Sequence, residues 1–553
     1  MPRRHRGDER ARDLLHPSSR AAQAGPRAAP EGKGVKGGAG EVAFASGRGK
    51  GGGDAAAIAR GAGVNLLTLV AKLGRPLFYF LAARLYGAET FGLYFLTWTY
   101  IDILAKAAFL GLDKGLVRFV SHHASRGDDR GRLGSVRTAM ACAGCVSFLL
   151  SLLLFLFAHP LTHLLGNPAL FSPLRIMSMT VFFQTTGWLI VFMTMGHKIM
   201  KYQLHVRGLL EPFLLIGFLV LFRFLDLGLV GLCLAHLLMM ACVFGYTLVV
   251  GMRFVPWSRW FERPFHLDRE MLRFSGSIFL ADTIGNLNLR IDVMILGAFA
   301  PAKVVGIYGI MQQMSNAAMM LRFAFDWIAN PIFSELHTRR EVGRLQETYR
   351  LITRWIFLVT IPVILFIALF GGDLAALVGP EYRQGYPWLL TLLGGMTVVC
   401  LFGLSGHLLA MTGNPRPLLA SQAIALASGT LLTWLLIHFF GAQGAAVGGA
   451  YTLSATFLLT SWFVWRILGI HPFSWRLAKP MGAGVLSALL LRSLDGWIAP
   501  LAPWHPILGA LLLLVSYVGL LFLFGLEREE RDLLRRRREG KGGLFSDNDR
   551  KET

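Results

Sequence analysis

The chain has 553 residues, 54% of them hydrophobic and only 16% charged, with a formal net charge of +22 and a mean hydropathy of +0.51. A soluble protein carries about 25% charged residues; here Lys and Arg collect in tails and short connections between long apolar runs. That distribution excludes a soluble nucleic-acid-binding protein and marks a polytopic membrane protein, because each span needs about 20 mostly apolar residues to cross the hydrocarbon core.

Residues 1–61 are polar, basic and rich in Gly and Ala, with no apolar core of the kind a signal peptide needs, and they read as a disordered cytoplasmic tail. The Gly-rich stretch from Gly34 to Gly53 lacks the preceding strand and the helix-opening Lys-Ser or Lys-Thr of a nucleotide-binding loop. Beyond the tail the spacing predicts fourteen transmembrane helices: 62–85, 91–112, 135–158, 173–196, 209–225, 229–252, 275–299, 304–330, 355–378, 386–411, 418–440, 444–465, 480–500 and 505–525. The fold class is therefore all-α and polytopic, and 526–553 forms a second basic tail.

The connections alternate in charge. Segments 113–134, 197–208, 253–274, 331–354, 412–417 and 466–479 hold 22 Lys and Arg, whereas the opposite connections bring Arg223, Lys303, Arg383 and Arg492. The positive-inside bias then places both termini in the cytoplasm. The aromatic and charged segments 113–134, 253–274 and 331–354 are expected as amphipathic pieces on the membrane surface. The opposite connections, such as His159 to Ser172, are too short for an external catalytic domain.

An internal repeat is visible. Gly87-Ala88-Glu89-Thr90-Phe91-Gly92-Leu93-Tyr94 matches Pro301-Ala302-Lys303-Val304-Val305-Gly306-Ile307-Tyr308 at an offset of 214, and Gly228-Leu229-Val230-Gly231 matches Gly441-Ala442-Gln443-Gly444 at 213. The unit is six spans, an even number, so the halves are expected to be parallel about an axis along the membrane normal. This gives an N-lobe (TM1–6, 62–252), a C-lobe (TM7–12, 275–467) and an appended pair (TM13–14, 480–525). Gly444, Gly448 and Gly449 are expected to serve close helix packing.

Ionisable groups inside spans are costly, about 2.5–3.5 kcal/mol for an Arg at mid-bilayer on insertion scales, and face a partner or a wet cavity. They cluster here in repeat-related spans: Lys72 and Arg75 in the first, Asp102 and Lys106 in the second, Asp282, Arg290 and Asp292 in the seventh, Arg322 and Asp326 in the eighth. Asp282, Asn286 and Arg290 recur every fourth position as one stripe. The expectation is a central cavity of net positive character. Lys72, Arg75, Lys106, Arg290 and Arg322 would bind an anionic headgroup, because the planar Arg fork suits phosphate oxygens. Asp102, Asp282, Asp292 and Asp326 are expected as charge partners or as carriers of a coupling proton or sodium ion. Asp102–Lys106 and Arg322–Asp326 are equally spaced for plain structural ion pairs. No metal site or cofactor is expected: His159 and His163 share a helical face without an acidic helper, and Cys142 and Cys145, though spaced C-x-x-C, have no second ligand pair.

Residues Leu73-Gly74-Arg75, Ala83-Arg84-Leu85-Tyr86-Gly87 and Phe91-Gly92-Leu93-Tyr94, the basic segment after the second span, and Gly441-Ala442-Gln443-Gly444-Ala445-Ala446 together resemble the bacterial polysaccharide-biosynthesis flippases over about 62–470. These belong to the superfamily that also holds multidrug (MATE) exporters and the lipid II flippase. The resemblance implies alternating access by two rocking six-helix lobes, a lipid-linked oligosaccharide as cargo, and no enzymatic activity. It also implies residence in the bacterial inner membrane and contact with membrane lipids and other polysaccharide-assembly proteins. Family cavities place essential basic residues in the first span, where Lys72 and Arg75 lie; Arg290 matches by depth only. Two alternatives carry the same architecture: a lipid II flippase and a MATE-type ion-coupled drug antiporter, the latter disfavoured by the excess of cations.

Overall fold

The computed structural model describes residues 53–255, 257–260, 267–498 and 505–524, with side chains at most positions from Gly74 onward. The chain divides into two compact units, Met1–Arg60 and Gly61–Thr553, and the second carries the membrane-spanning helices. The sequence read as terminal tails lies outside the described residues, except that the first helix already begins at Gly53, in an Ala-rich stretch of high helix propensity.

All regular structure among the described residues is helical. The helices are α1 (Gly53–Ala108), α2 (Leu112–Ser125), α3 (Asp129–Leu156), α4 (Ala158–Leu164), α5 (Phe171–Met177), α6 (Thr180–Gly196), α7 (Lys201–Leu204), α8 (Glu211–Phe224), α9 (Gly228–Phe254) and α10 (Trp257–Trp260). Then come α11 (Arg269–Asn288), α12 (Ile291–Phe299), α13 (Ala302–Thr338), α14 (Val342–Val378), α15 (Tyr386–Phe402), α16 (Leu404–Met411), α17 (Pro415–Leu468), α18 (Ala478–Ile498) and α19 (His505–Leu523). Ten stretches are long and apolar enough to cross a membrane. Two of these hold two spans each, since α1 is broken at Gly87 (φ 78°) and α17 at Gly441 (φ 55°). The expected seventh and eighth spans correspond to the more polar helices α11–α12 and α13, which are not among those ten stretches.

The helices fall into two packed groups. In the first, α3, α6 and α9 pack side by side with α8 against α9; in the second, α13, α14, α15 and α17 pack together with α12 against α17. The two carboxy-terminal helices pack on each other and on α14. A Cβ at Gly92 would overlap the carbonyl of Ala302, and a Cβ at Gly306 would overlap the carbonyl of Ala88. Residues 88 and 302, like 92 and 306, are separated by 214. A contact that is returned with the halves exchanged is the signature of a two-fold axis, so the duplicated turns meet each other at it. The second repeat match is also structural, because Gly228 and Gly441 both sit at positive φ, near 50° and 55°, where other residues are strained.

Three sequence expectations change in detail. Segment 331–354 is no separate surface piece; it forms the ends of α13 and α14, which pack on each other. Segment 113–134 does contain an amphipathic helix, α2, but its apolar face is buried against α3, α6 and α11. The stripe through Asp282, Asn286 and Arg290 is interrupted, because the seventh span breaks at Leu289–Arg290 and Arg290 leaves helical geometry (φ −134°, ψ −10°).

Candidate functional site

A charged cluster is assembled from α1, α6 and α8 with the turn leading into it, and is completed by Arg290 at the break between α11 and α12. Asp102 of α1 is its centre. Its carboxylate lies 2.9 Å from Lys106 Nζ and 4.0 Å from Arg290 Nη2, and Gln184 of α6 donates an amide hydrogen bond to it at 3.3 Å. Helix α6 is fixed at that depth by Thr185, which donates to the carbonyl of Ala105.

A second carboxylate, Glu211, lies 3.6 Å from Arg75 Nη2 and accepts a hydrogen bond from the Trp188 indole at 3.2 Å. The absence of a side chain at Gly74 makes this possible, because a Cβ there would overlap Pro212, next to Glu211. The Arg75 guanidinium also lies 5.5 Å from the Trp98 ring centroid, and that of Arg207 lies 4.3 Å from the Trp188 ring. Arg207 sits in a single π-helical turn, His205–Leu210, leading into α8. Such turns are rare and recur at functional sites.

The accessibility of these groups is asymmetric. The side chains of Asp102 and Glu211 are 7% and 10% exposed, whereas those of Arg75, Lys106 and Arg290 are 45%, 35% and 18% exposed. The acids are therefore the more deeply buried partners, and the bases they hold are the more accessible ones. Four cations, Arg75, Lys106, Arg207 and Arg290, outnumber two carboxylates. Chemically this arrangement is a receptor for an anion with several oxygens.

The other predicted residues lie elsewhere. Lys72 is on α1 but outside the residues whose side chains are described. Asp282 is paired with Lys114 of α2 at 2.5 Å, toward the basic end of the bundle, and not with the cluster. Arg322 and Asp326 form a buried pair at 3.2 Å in the second helix group, with His407 Nε2 3.3 Å from Asp326 and the Phe457 ring 5.8 Å from the Arg322 guanidinium. Asp292 is buried and accepts from the Tyr308 hydroxyl at 2.5 Å and the Gln312 amide at 3.1 Å. A Cβ at Gly449 would press on its carboxylate. Gly449 thus makes room for an acid, while Gly444 and Gly448 pack the two arms of α17 together.

Glu211, Arg207, Gln184 and the two tryptophans were not singled out from sequence. Glu211 carried a usable signal, an acid inside the predicted fifth span. Arg207 was counted among the basic connections, since nothing local announces a π-helical turn. Among the described residues no group of three or more His, Cys, Asp or Glu is placed to hold a metal ion, and all five cysteines are free.

Residues 58–337 match the family model described as polysaccharide biosynthesis protein. The chain is similar to the succinoglycan biosynthesis transport protein ExoT of Rhizobium meliloti, 24% identical over 482 residues, which cover 82% of this chain and 89% of that one. It is also similar to the probable flippase AglR of Haloferax volcanii, 28% identical over 163 residues; the matched region spans 28% of this chain and 34% of that relative. Among solved structures, the lipid II flippase MurJ in an inward closed conformation superposes with a TM-score of 0.65 at 13% identity, covering 85% of this chain and all of the other. An inward-facing multidrug resistance MATE transporter gives 0.61 at 16% identity, covering 71% and 95%. At these identities the structural matches speak for the fold alone.

Proposed function

Because the chain belongs to the family of polysaccharide biosynthesis proteins, we propose that it is a flippase, not an enzyme, that carries a polyprenyl-diphosphate-linked oligosaccharide from the inner to the outer leaflet of the bacterial cytoplasmic membrane, for surface polysaccharide assembly. The observation that carries this reading is the cationic cluster held by more deeply buried acids. The diphosphate headgroup is held by Arg75, Lys106 and Arg290, with Arg207 adding to the positive field. The two helix groups rock about the Gly92–Gly306 contact, so that the cluster faces one leaflet and then the other. Both termini lie in the cytoplasm on this reading, and membrane lipids and other assembly proteins are its partners.

Asp292 is the proposed coupling group for a proton or sodium ion. It is a buried carboxylate whose hydrogen-bond donors are a hydroxyl and an amide, whereas Asp102 and Asp326 are paired with cations. A lipid II-type cargo is the second reading, favoured by the appended pair α18–α19. A drug antiporter for cationic cargo fits the cluster poorly, since its accessible groups repel cations.

The test is complementation in a flippase-null strain at matched membrane expression, with wild type, Arg75→Ala and Arg290→Ala. Restoration of surface polysaccharide by wild type and failure of both variants supports the reading. Restoration of peptidoglycan synthesis in its place selects the lipid II cargo. Two variants as active as wild type would sink the role of the cluster.

A further inference from the structure

A cavity lies next to Arg290 of the charged cluster and is built from different residues. It is a groove of about 480 Å³ between α1, the α4–α5 connection at Leu165, α12 and the first arm of α17. That volume falls within the roughly 300–1,000 Å³ of small-molecule sites. Its walls include Ile291, Met294 and Ile295 of α12, with Phe299, Leu431 and Trp434 toward the end with few basic residues. Its polar side chains are Tyr100 and Thr430.

One end of the groove lies beside the break in the seventh span that carries Arg290 of the cluster. Ile291, which lines the groove, directly follows Arg290, and Tyr100 of α1 lines the same groove. The Tyr100 side chain is 8% exposed, and its hydroxyl has no hydrogen-bond partner. A buried phenol without a partner is a donor waiting for an acceptor. From Ile291 to Phe299 the α12 wall extends about 12 Å at 1.5 Å per residue. The groove thus runs from beside Arg290, near the middle of the seventh span, along α12 toward Phe299.

We propose that this groove receives the first isoprene units of the cargo lipid while the cationic cluster holds its diphosphate, with the Tyr100 hydroxyl donating at the junction; the inference rests on the flippase reading. The occupant follows from the geometry. A bilayer phospholipid keeps its headgroup at the interface, so its chains reach the groove only from the lipid side. A lipid whose headgroup is bound at Arg290 has its first apolar carbons at Ile291, at the inner mouth. The apolar walls suit a branched hydrocarbon, and the adjacent cations suit its diphosphate. The groove lies beside α12 and α17 and away from α18–α19, so the chain needs no contribution from the appended pair.

The test uses the full-length protein in membranes and a photoreactive isoprenyl diphosphate, with a phosphatidylglycerol carrying the same photoreactive group as the comparison. Labelling is mapped by peptide, and Ala298→Trp and Ala427→Trp fill the groove. The expected result is labelling of 291–299 and 427–434 by the diphosphate probe, several-fold above the phospholipid, falling about tenfold when the groove is filled. Equal labelling by both probes assigns the groove to bulk lipid and overturns the proposal. So does labelling confined to other helices in a protein that still complements, an outcome that leaves the flippase reading intact. A wild type that neither complements nor takes up the diphosphate probe overturns both. The wild-type map decides the matter even where a Trp variant fails to fold.

Discussion

Tyr94 and Tyr308 stand at repeat-related positions, and both are fully buried with the hydroxyl engaged, yet their partners differ. Tyr94 shares a 2.6 Å hydrogen bond with His236, whose ring lies 4.1 Å from that of Trp98, beneath Arg75. Tyr308 donates to Asp292. His236 is at an offset of 213 from Gly449, the glycine that makes room for Asp292. The duplication kept the scaffold: the tyrosines, the crossing glycines and the positive-φ glycines. It let the polar partners diverge, so that one half holds partly exposed cations on buried acids and the other buries a carboxylate among neutral donors. On the proposed reading the first half holds an anionic headgroup and the second takes up the coupling cation.

The largest effect is expected where the charge of the first half is inverted. Arg75→Glu should abolish complementation, because it places a third carboxylate beside Glu211. Arg75→Lys should retain part of it, keeping the charge without the planar fork. Next, Asp292→Asn should leave the protein folded and still binding cargo, but uncouple transport from the ion gradient. Transport into vesicles with and without an imposed proton or sodium gradient checks this, and unchanged gradient dependence would remove Asp292 from the coupling role.

Asp102→Asn should cost about 3 kcal/mol, the low end for removing one partner of a buried ion pair, since Lys106 is one-third exposed. It should be seen as a lower melting temperature of the solubilised protein, and the same change at Asp282, whose partner is more exposed, should cost under about 1 kcal/mol. Gly92→Val tests the contact that the halves share. Overpacking there should cost roughly 1–3 kcal/mol and hold the crossing apart, exposing Arg75 from that side; a thiol reagent acting on Arg75→Cys reports it.

The smallest effect concerns α3. Asp128 caps it by accepting from the backbone N–H of Gly131 at 2.9 Å, and that bond, with His123 beside it, holds the carboxyl below its ordinary value. The depressed folded-state value makes the contribution present above the unfolded Asp value of about 3.9, and it is lost as pH falls through the folded value. Asp128→Ala should therefore lower the melting temperature slightly at neutral pH, and the difference from wild type should vanish in strong acid.

Much of this comparison was legible in the sequence. Apolar runs of span length located the helices, the 214-residue offset located the axis, and charges inside spans located Arg75, Asp102, Lys106 and Arg290 near one another. Pairings across long separations were not legible. Arg75 with Glu211 depends on Gly74 meeting Pro212, and Lys114 with Asp282 depends on α2 docking against α11. A helical wheel drawn through the break at Leu289–Arg290 places Asp282 and Arg290 on one face, although the chain sends them to different partners. The apolar groove left no sequence signal, because a wall that lines a cavity and a wall that faces lipid use the same residues.

The most direct measurement is binding of an isoprenyl diphosphate and of the matching uncharged isoprenol to the purified protein, with Arg75→Ala and Arg290→Ala alongside wild type. Wild type should prefer the diphosphate about tenfold or more, the preference should weaken with salt, and each Arg variant should bind the two lipids nearly alike. A wild type indifferent to the diphosphate, or variants that keep its preference, would contradict an anion receptor at this cluster.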